Sequence, residues 1–466
     1  MKYSQFLSSK AQLASMSGFT PVWMPDFLFD FQKALVDWAI RKGRAAIFAD
    51  CGLGKTPMQL VWAENVVRKT NGRVLILTPL SVGLQTVQEG AKFGIDCQRS
   101  MDGKANSNIV VTNYEKLHRF NPNDFEGVVC DESSILKNFD GTTKADVIEF
   151  MRTRPYRLLC TATAAPNDYV ELGNSAESLG EMGFQDMVSR FYKKETSKDH
   201  LGWGRTKYRL RGHASQDFWR WVCSWARAVR KPSDLGFDDG DFILPPITTN
   251  EHIVESRIKR DGYLFDLPAI SLKDQREERR RTIAERCEKV ASLVASTGKP
   301  AIAWCYLNDE GDEIERLIPD SVQVSGSDDD EQKERAFQRF ATGDVRVMIS
   351  KPIIAGFGMN WQHCSHQVFF PSHSWEQYYQ AVRRCYRFGQ KNPVVIDVVA
   401  TEGEAGVIAN LQRKENSANA MFSKLVALMN DSLRIENEDR FRVAADVPSW
   451  LNGQTFSNGV MDDACY

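Results

Sequence analysis

Ten cysteines are scattered through 466 residues with no C-x-x-C pair. That pattern reads as reduced, intracellular thiols, not as a disulfide framework. Disulfide staples are also unnecessary, because each half of a chain this long buries a full core. No apolar run reaches the ~20 residues that cross a bilayer. The opening Met1-Lys2-Tyr3-Ser4-Gln5 lacks the apolar core of a signal peptide. The expectation is a cytoplasmic protein with no membrane partner. Internal repeats and low-complexity blocks do not stand out. The formal net charge of −2 excludes a uniformly basic nucleic-acid binder. What is present, 42% hydrophobic and 26% charged residues, is the composition of a globular chain of two or three domains.

Charge is uneven along the chain. From Arg190 to Lys231 there are about twelve Lys/Arg against about three Asp/Glu, the footprint of a local anion-facing patch. Residues 1–178 alternate short apolar runs with polar helical stretches. Strand candidates are Ala45–Ala49, Val74–Thr78, Ile109–Thr112, Val128–Cys130 and Arg157–Cys160. Strands alternating with helices predict an α/β fold with parallel sheets covered on both faces, and a site at the carboxyl ends of the strands. Residues 179–270 break the rhythm and read as a basic, aromatic-rich, mainly helical insertion followed by a linker. The rhythm returns over 271–430, with a charged helix from Arg276 to Ala295. Strand candidates there are Ala301–Trp304, Val345–Ile349, Val368–Phe370 and Val394–Ile396. Residues 431–466 read as a polar, irregular tail, mobile from Gly453.

Three motifs carry chemistry. Ala49-Asp50-Cys51-Gly52-Leu53-Gly54-Lys55-Thr56 follows a strand and opens a helix. Gly52 and Gly54 let backbone N–H groups close around phosphate. The helix offers its positive end, Lys55 neutralises charge, and the Thr56 hydroxyl suits Mg²⁺. A strict phosphate loop begins with Gly where this one has Ala49. Second, Val128-Val129-Cys130-Asp131-Glu132 ends an apolar strand in two carboxylates, about 75 residues beyond Thr56. Asp131 is expected to face Mg²⁺, and Glu132 to activate water. Third, Gln380 to Gln390 carries Arg384 and Arg387 three apart, on one helical face. Two guanidinium groups there suit the charge of a phosphoryl group in transfer.

With these motifs the chain resembles superfamily 2 ATPases, and among them the Swi/Snf-type DNA translocases. Leu28-Phe29-Asp30-Phe31-Gln32 resembles the family's adenine-reading segment. Pro79-Leu80-Ser81 with Lys92-Phe93, and Thr112-Asn113-Tyr114, look like its strand-contact motifs. Asp131, Glu132, Lys137 and Asn138 match its D-E-x-H-x-x-K-N pattern. Thr161 to Asn167 resembles its coupling motif. Ser350 to Asn360 is similar to its S-x-x-A-G-x-G-x-N segment, with altered spacing. Gln380, Arg384, Arg387, Gly389 and Gln390 match Q-x-x-x-R-x-x-R-x-G-Q in full. The likeness runs from about residue 28 to 400 and implies two RecA-like domains in tandem. It implies that Gln32 reads adenine and that Lys55, Thr56, Asp131 and Glu132 form one half-site. Gln380, Arg384 and Arg387 complete it, Arg387 as the arginine finger, with Gly358 near the cleft. Thr161 and Thr163 would couple the ATP site to nucleic acid. Two departures stand out: Ser134 replaces the family's His, and Ala164-Ala165 follows Thr163 where the family often has Pro.

The resemblance thus implies an ATP- and Mg²⁺-dependent motor acting on nucleic acid, double-stranded DNA first, in a bacterial or phage setting. A strand-separating helicase, a non-translocating ATP switch and an RNA-directed ATPase are the alternatives. Thr78, Thr112, Arg205, Lys207 and Arg209 are the expected nucleic-acid contacts. The aromatics among the basic residues suit base stacking. However, Phe218, Val222, Trp225 and Val229 fall at helical spacing and favour a packed helix. His363, Cys364, His366 and His373 lack a second ligand pair at metal spacing and read as ordinary loop and core residues.

Overall fold

The computed structural model describes residues 16–80, 82–137, 142–165, 167–198, 204–255, 272–355 and 360–445. The side chains of Lys137, Arg205 and Lys207 are not among those described, and Asn138, Gly358 and the tail from Gly453 lie outside the described residues altogether.

The chain first forms β1 (Arg44–Ala49), β2 (Arg73–Thr78), β3 (Cys97–Arg99), β4 (Ile109–Asn113), β5 (Phe125–Asp131) and β6 (Tyr156–Cys160). A hairpin, β7 (Tyr192–Lys198) and β8 (Gly204–Leu210), precedes β9 (Ala226–Val229). Then come β10 (Ile247–Val254), β11 (Ala301–Trp304), β12 (Ser321–Val324), β13 (Val347–Ser350), β14 (His366–Phe369) and β15 (Val394–Thr401). Seven strands build one parallel sheet in the order β3-β4-β2-β5-β6-β1-β9. Six build a second, also parallel, in the order β10-β15-β14-β11-β13-β12.

Alternation within the strands shows that both faces of each sheet are covered. Ala46 and Phe48 of β1 join one apolar cluster, while Ala45, Ile47 and Ala49 join another. Ile302 and Trp304 of β11 likewise part from Ala301 and Ala303. Strands buried on both sides carry continuous apolar runs, which is why they were legible. No helix of the described residues is long and apolar enough to cross a membrane. All nine described cysteines are free and buried.

Several expectations are corrected. The 179–270 segment is not apart from the sheets: β9 pairs with β1 and β10 with β15. The stripe from Phe218 to Val229 is not one helix. The helix Ser215–Trp225 buries Phe218, Val222 and Trp225, and Val229 belongs to β9. Trp219 and Trp221 are buried too, so these rings are core and do not present faces for base stacking. The charged helix is broken at Thr282 into Leu272–Arg281 and Ile283–Thr297. There φ −113° and ψ 20° leave the helical region, and the Thr282 hydroxyl donates to the Glu278 carbonyl at 2.8 Å. Residues 431–445, expected in an irregular tail, belong instead to one helix that runs Ala405–Ala445. Its Met421, Phe422, Leu425 and Met429 are buried in the apolar cluster of the first sheet, against the helix Ser215–Trp225 and β9.

Candidate active site

The tip of β1 runs into the loop Asp50–Gly54 and the helix Lys55–Thr70. Gly52 and Gly54 have φ of +90° and +75°, which side chains rarely adopt. Each also sits against a neighbour. A Cβ on Gly52 would lie 2.8 Å from the Phe388 backbone nitrogen, and one on Gly54 2.3 Å from Gln32 Nε2. Gln32 is buried and braces this loop: Nε2 donates to the Leu53 carbonyl (2.8 Å), and Oε1 accepts from the Phe29 N–H (3.0 Å). Those bonds use half of its amide capacity.

One cleft gathers Gly52, Gly54, Lys55, Thr56, Asp131, Glu132, Arg384 and Arg387. It is an open cleft of about 620 Å³, the solvent in its mouth included. Val82, Gln85 and Glu89 complete its wall and had no signal beyond their nearness to the Pro79-Leu80-Ser81 segment. The first sheet supplies the loop and the carboxylates, each at the carboxyl end of a strand. Arg384 and Arg387 do not share a helical face as expected: the helix Trp375–Val382 ends before them, and both come from the turns beyond it, on the second sheet's side.

Lys55 Nζ donates to the Ala49 and Asp50 carbonyls at 3.1 and 3.4 Å. Burial opposes its charge, but Cys51, Glu132, Asp131 and Asp50 outweigh burial and hold the ammonium above its ordinary pKa. Asp131 Oδ1 accepts from Gln59 Nε2 at 2.7 Å, and its carbonyl accepts from the Tyr114 hydroxyl at 2.5 Å. Burial raises the Asp131 carboxyl against the pull of Gln59 and Lys55. Glu132 is raised by burial as well, with Lys55 opposing and Asp131 adding to the shift. Its φ of +48° is left-handed, a strained conformation for this residue type. Arg384 is buried, and its Nε donates to the Gln380 carbonyl at 3.1 Å. Arg387 donates to Asn360 Oδ1. Burial and the nearby Arg384 pull the Arg387 guanidinium down to about 10. Three cations and two buried carboxylates in one cleft suit a polyanion together with a hard divalent cation. The Thr56 hydroxyl and Asp131 carboxylate are the oxygen donors that would hold Mg²⁺.

Gln380 does not line the cleft. It is buried beside Arg384, and its side-chain amide has no hydrogen-bond partner among the described residues. Thr161 and Thr163 adjoin the site: the Thr161 hydroxyl donates to Glu132 Oε2 (3.3 Å), and that of Thr163 to Glu376 Oε1 (3.3 Å). Thr78 and Thr112 are a correction. They are 0% and 1% exposed at the tips of β2 and β4, and the Thr78 hydroxyl donates inward to the Thr112 carbonyl. Neither reaches a nucleic-acid strand in this conformation. Among the described residues no three or more His, Cys, Asp or Glu side chains gather into a metal-holding group. His363 packs on Phe340, His366 bonds Asp397, and His373 bonds Asn410.

Sequence reasoning missed Asp50, Glu376, Tyr379 and Arg383. Asp50 Oδ1 accepts from the Cys51 N–H (2.6 Å) and from the Tyr379 hydroxyl, and Oδ2 accepts from Arg383 at 2.7 Å. An acid in a phosphate loop and a third arginine in an arginine-rich motif each looked incidental. Only the fold, across 333 positions, makes them partners. No protein-family model matches the chain, and no curated protein matches it.

Proposed function

We propose that this chain is an ATP-driven nucleic-acid motor of the superfamily 2 type, two RecA-like domains that hydrolyse ATP in the cleft between them and move along DNA. The observation that carries this reading is the single cleft shared by Lys55, Thr56, Asp131 and Glu132 with Arg384 and Arg387. A phosphate loop alone binds nucleotide. Arginines from the other sheet's side make turnover depend on how the two sides meet, and that dependence is what a motor needs.

In this reading the Gly52–Gly54 amides and Lys55 cradle the phosphates. Mg²⁺, held by Thr56 and Asp131, would neutralise phosphate charge when bound. Glu132 takes a proton from the attacking water. Arg384 and Arg387 stabilise the charge that builds on the transferred phosphoryl group. Thr161 carries the state of Glu132 toward Thr163 and Glu376, which joins the two halves.

The raised Glu132 carboxyl gives a pH prediction. The general base acts ionised, so turnover is lost as pH falls through its pKa. Because that pKa is raised, the acid limb of turnover at saturating ATP is expected above the ordinary Glu value of about 4.3. A limb at or below that value would remove Glu132 from this role. Glu132→Gln is expected to bind ATP and stall.

The hairpin β7–β8 supports a nucleic-acid track. Its register pairs Lys193 with Arg209, Glu195 with Lys207 and Ser197 with Arg205, alternate pairs that share one side of the ribbon. Tyr192, Tyr208 and Leu210 belong to the other side and pack on the first sheet's core. The Glu195–Arg209 pair at 3.8 Å is largely exposed and weak enough to yield to phosphate. Neutralising Arg205, Lys207 and Arg209 together is expected to weaken DNA binding and to flatten the slope of log K against log salt by roughly 2–3. An unchanged slope would make the ribbon an ordinary solvated surface.

The deciding experiment is steady-state ATPase at fixed low salt, without nucleic acid and with duplex DNA, single-stranded DNA or RNA. Stimulation by duplex DNA is expected. Stimulation by single strands alone would favour a strand-separating helicase, and by RNA alone an RNA-directed ATPase. No stimulation would leave an ATP switch.

A further inference from the structure

Three arginines lie within five residues of one another, yet only two face the cleft. Arg383 turns away to Asp50 (2.7 Å), with side chains 16% and 6% exposed. Its guanidinium also lies 5.1 Å from the rings of both Tyr379 and Tyr386. Asp50 is held just as closely: one carboxylate oxygen takes the Cys51 N–H and the Tyr379 hydroxyl, the other takes Arg383. The links to the chemistry are one residue long on each side. Cys51 and Gly52 follow Asp50 into the phosphate loop, and Arg384 follows Arg383.

We propose that Asp50, Tyr379 and Arg383 form a charge clasp that positions the phosphate loop against Arg384 and Arg387 and makes ATP affinity depend on cleft closure. The proposal rests on the ATPase reading above. The physics is that of a carboxylate beside a phosphate site. With the cleft open, Asp50 loses its cation and repels the incoming polyanion. With it closed, Arg383 cancels that charge while Arg384 and Arg387 reach the phosphates. Closure and ATP binding therefore favour each other, and the coupling is reciprocal. Gly52 allows the approach, because any Cβ there would meet the Phe388 backbone.

The test is a double-mutant cycle on the full chain, with ATP affinity from equilibrium dialysis with Mg²⁺ and turnover measured separately. Arg383→Gln leaves Asp50 unpaired and is expected to weaken ATP about tenfold or more, and to slow turnover. Asp50→Asn removes clasp and repulsion together, so it is expected to slow turnover without weakening ATP. Adding Asp50→Asn to Arg383→Gln is expected to restore ATP affinity while turnover stays low. A structural defect alone would not produce that rescue. Additive losses, or a double variant that binds no better than Arg383→Gln, would overturn the proposal. Arg383→Lys keeps the charge and is expected to fall between wild type and Arg383→Gln. Amide exchange without nucleotide provides a readout independent of ATPase activity. Each single variant is expected to speed exchange in both 49–56 and 375–387, and the double variant no further. Exchange that rises only around the substituted residue would also overturn the clasp. If wild type binds no ATP, the ATPase reading fails, while the exchange cycle still decides whether the clasp joins the two segments.

Discussion

Arg387→Ala is expected to turn over ATP about 10³-fold more slowly than wild type while binding it with similar affinity. Arg387 lines the cleft with its Cβ against Gly52, is half-buried, and donates to Asn360. Its pKa is pulled down to about 10 by burial and Arg384. That crowding is relieved when a phosphate group enters between the two cations. The relief is greatest as charge accumulates during transfer, so the loss falls on turnover and not on binding. Single-turnover ATPase with parallel nucleotide binding checks this, and near-normal turnover would sink the two-sided site.

Lys55→Ala should have the second large effect, and a different one. Lys55 is enclosed by Cys51, Glu132, Asp131 and Asp50, which hold its proton against burial. Without the ammonium the phosphate site faces the Asp131 and Glu132 carboxylates with no cation on the loop side. ATP affinity is expected to fall beyond ready measurement and turnover by on the order of 10²–10³ or more. The Ala49 and Asp50 carbonyls also lose their Nζ donor. Thermal melts therefore belong beside the dialysis. Unchanged ATP affinity in a folded variant would remove Lys55 from phosphate binding.

Legibility followed burial. β1, β2, β4, β5 and β6 announced themselves because both faces are covered and their apolar runs are unbroken. β10 did not. It is an edge strand, mostly exposed, and its sequence Ile-Thr-Thr-Asn-Glu-His-Ile-Val follows Pro245-Pro246 like a linker. β9 was hidden because its Val229 continues the helical apolar spacing of Phe218, Val222 and Trp225 in the preceding helix. The turn carrying Gly52, Gly54 and Lys55 was readable from loop spacing alone, and it lies between β1 and the helix Lys55–Thr70. Thr78 and Thr112 failed as contacts because a strand tip is also where side chains turn into the core. Asp50 with Arg383 was invisible for a third reason: ion pairs between distant segments leave no local pattern.

The helix Ala405–Ala445 begins just beyond the last strand of the second sheet and ends its described packing inside the first. Burying Met421, Phe422, Leu425 and Met429 is worth roughly 1.5–3 kcal/mol for each side chain as an upper estimate. A buried ion pair such as Asp50–Arg383 nets far less once its desolvation is counted. The two fastenings are thus unequal, a latch on one side and a hinge pin on the other. Where the ion pair opens, the buried helix still joins the two halves. A chain cut between the sheets would expose the pin's apolar socket, so the halves are expected to need each other to stay in solution.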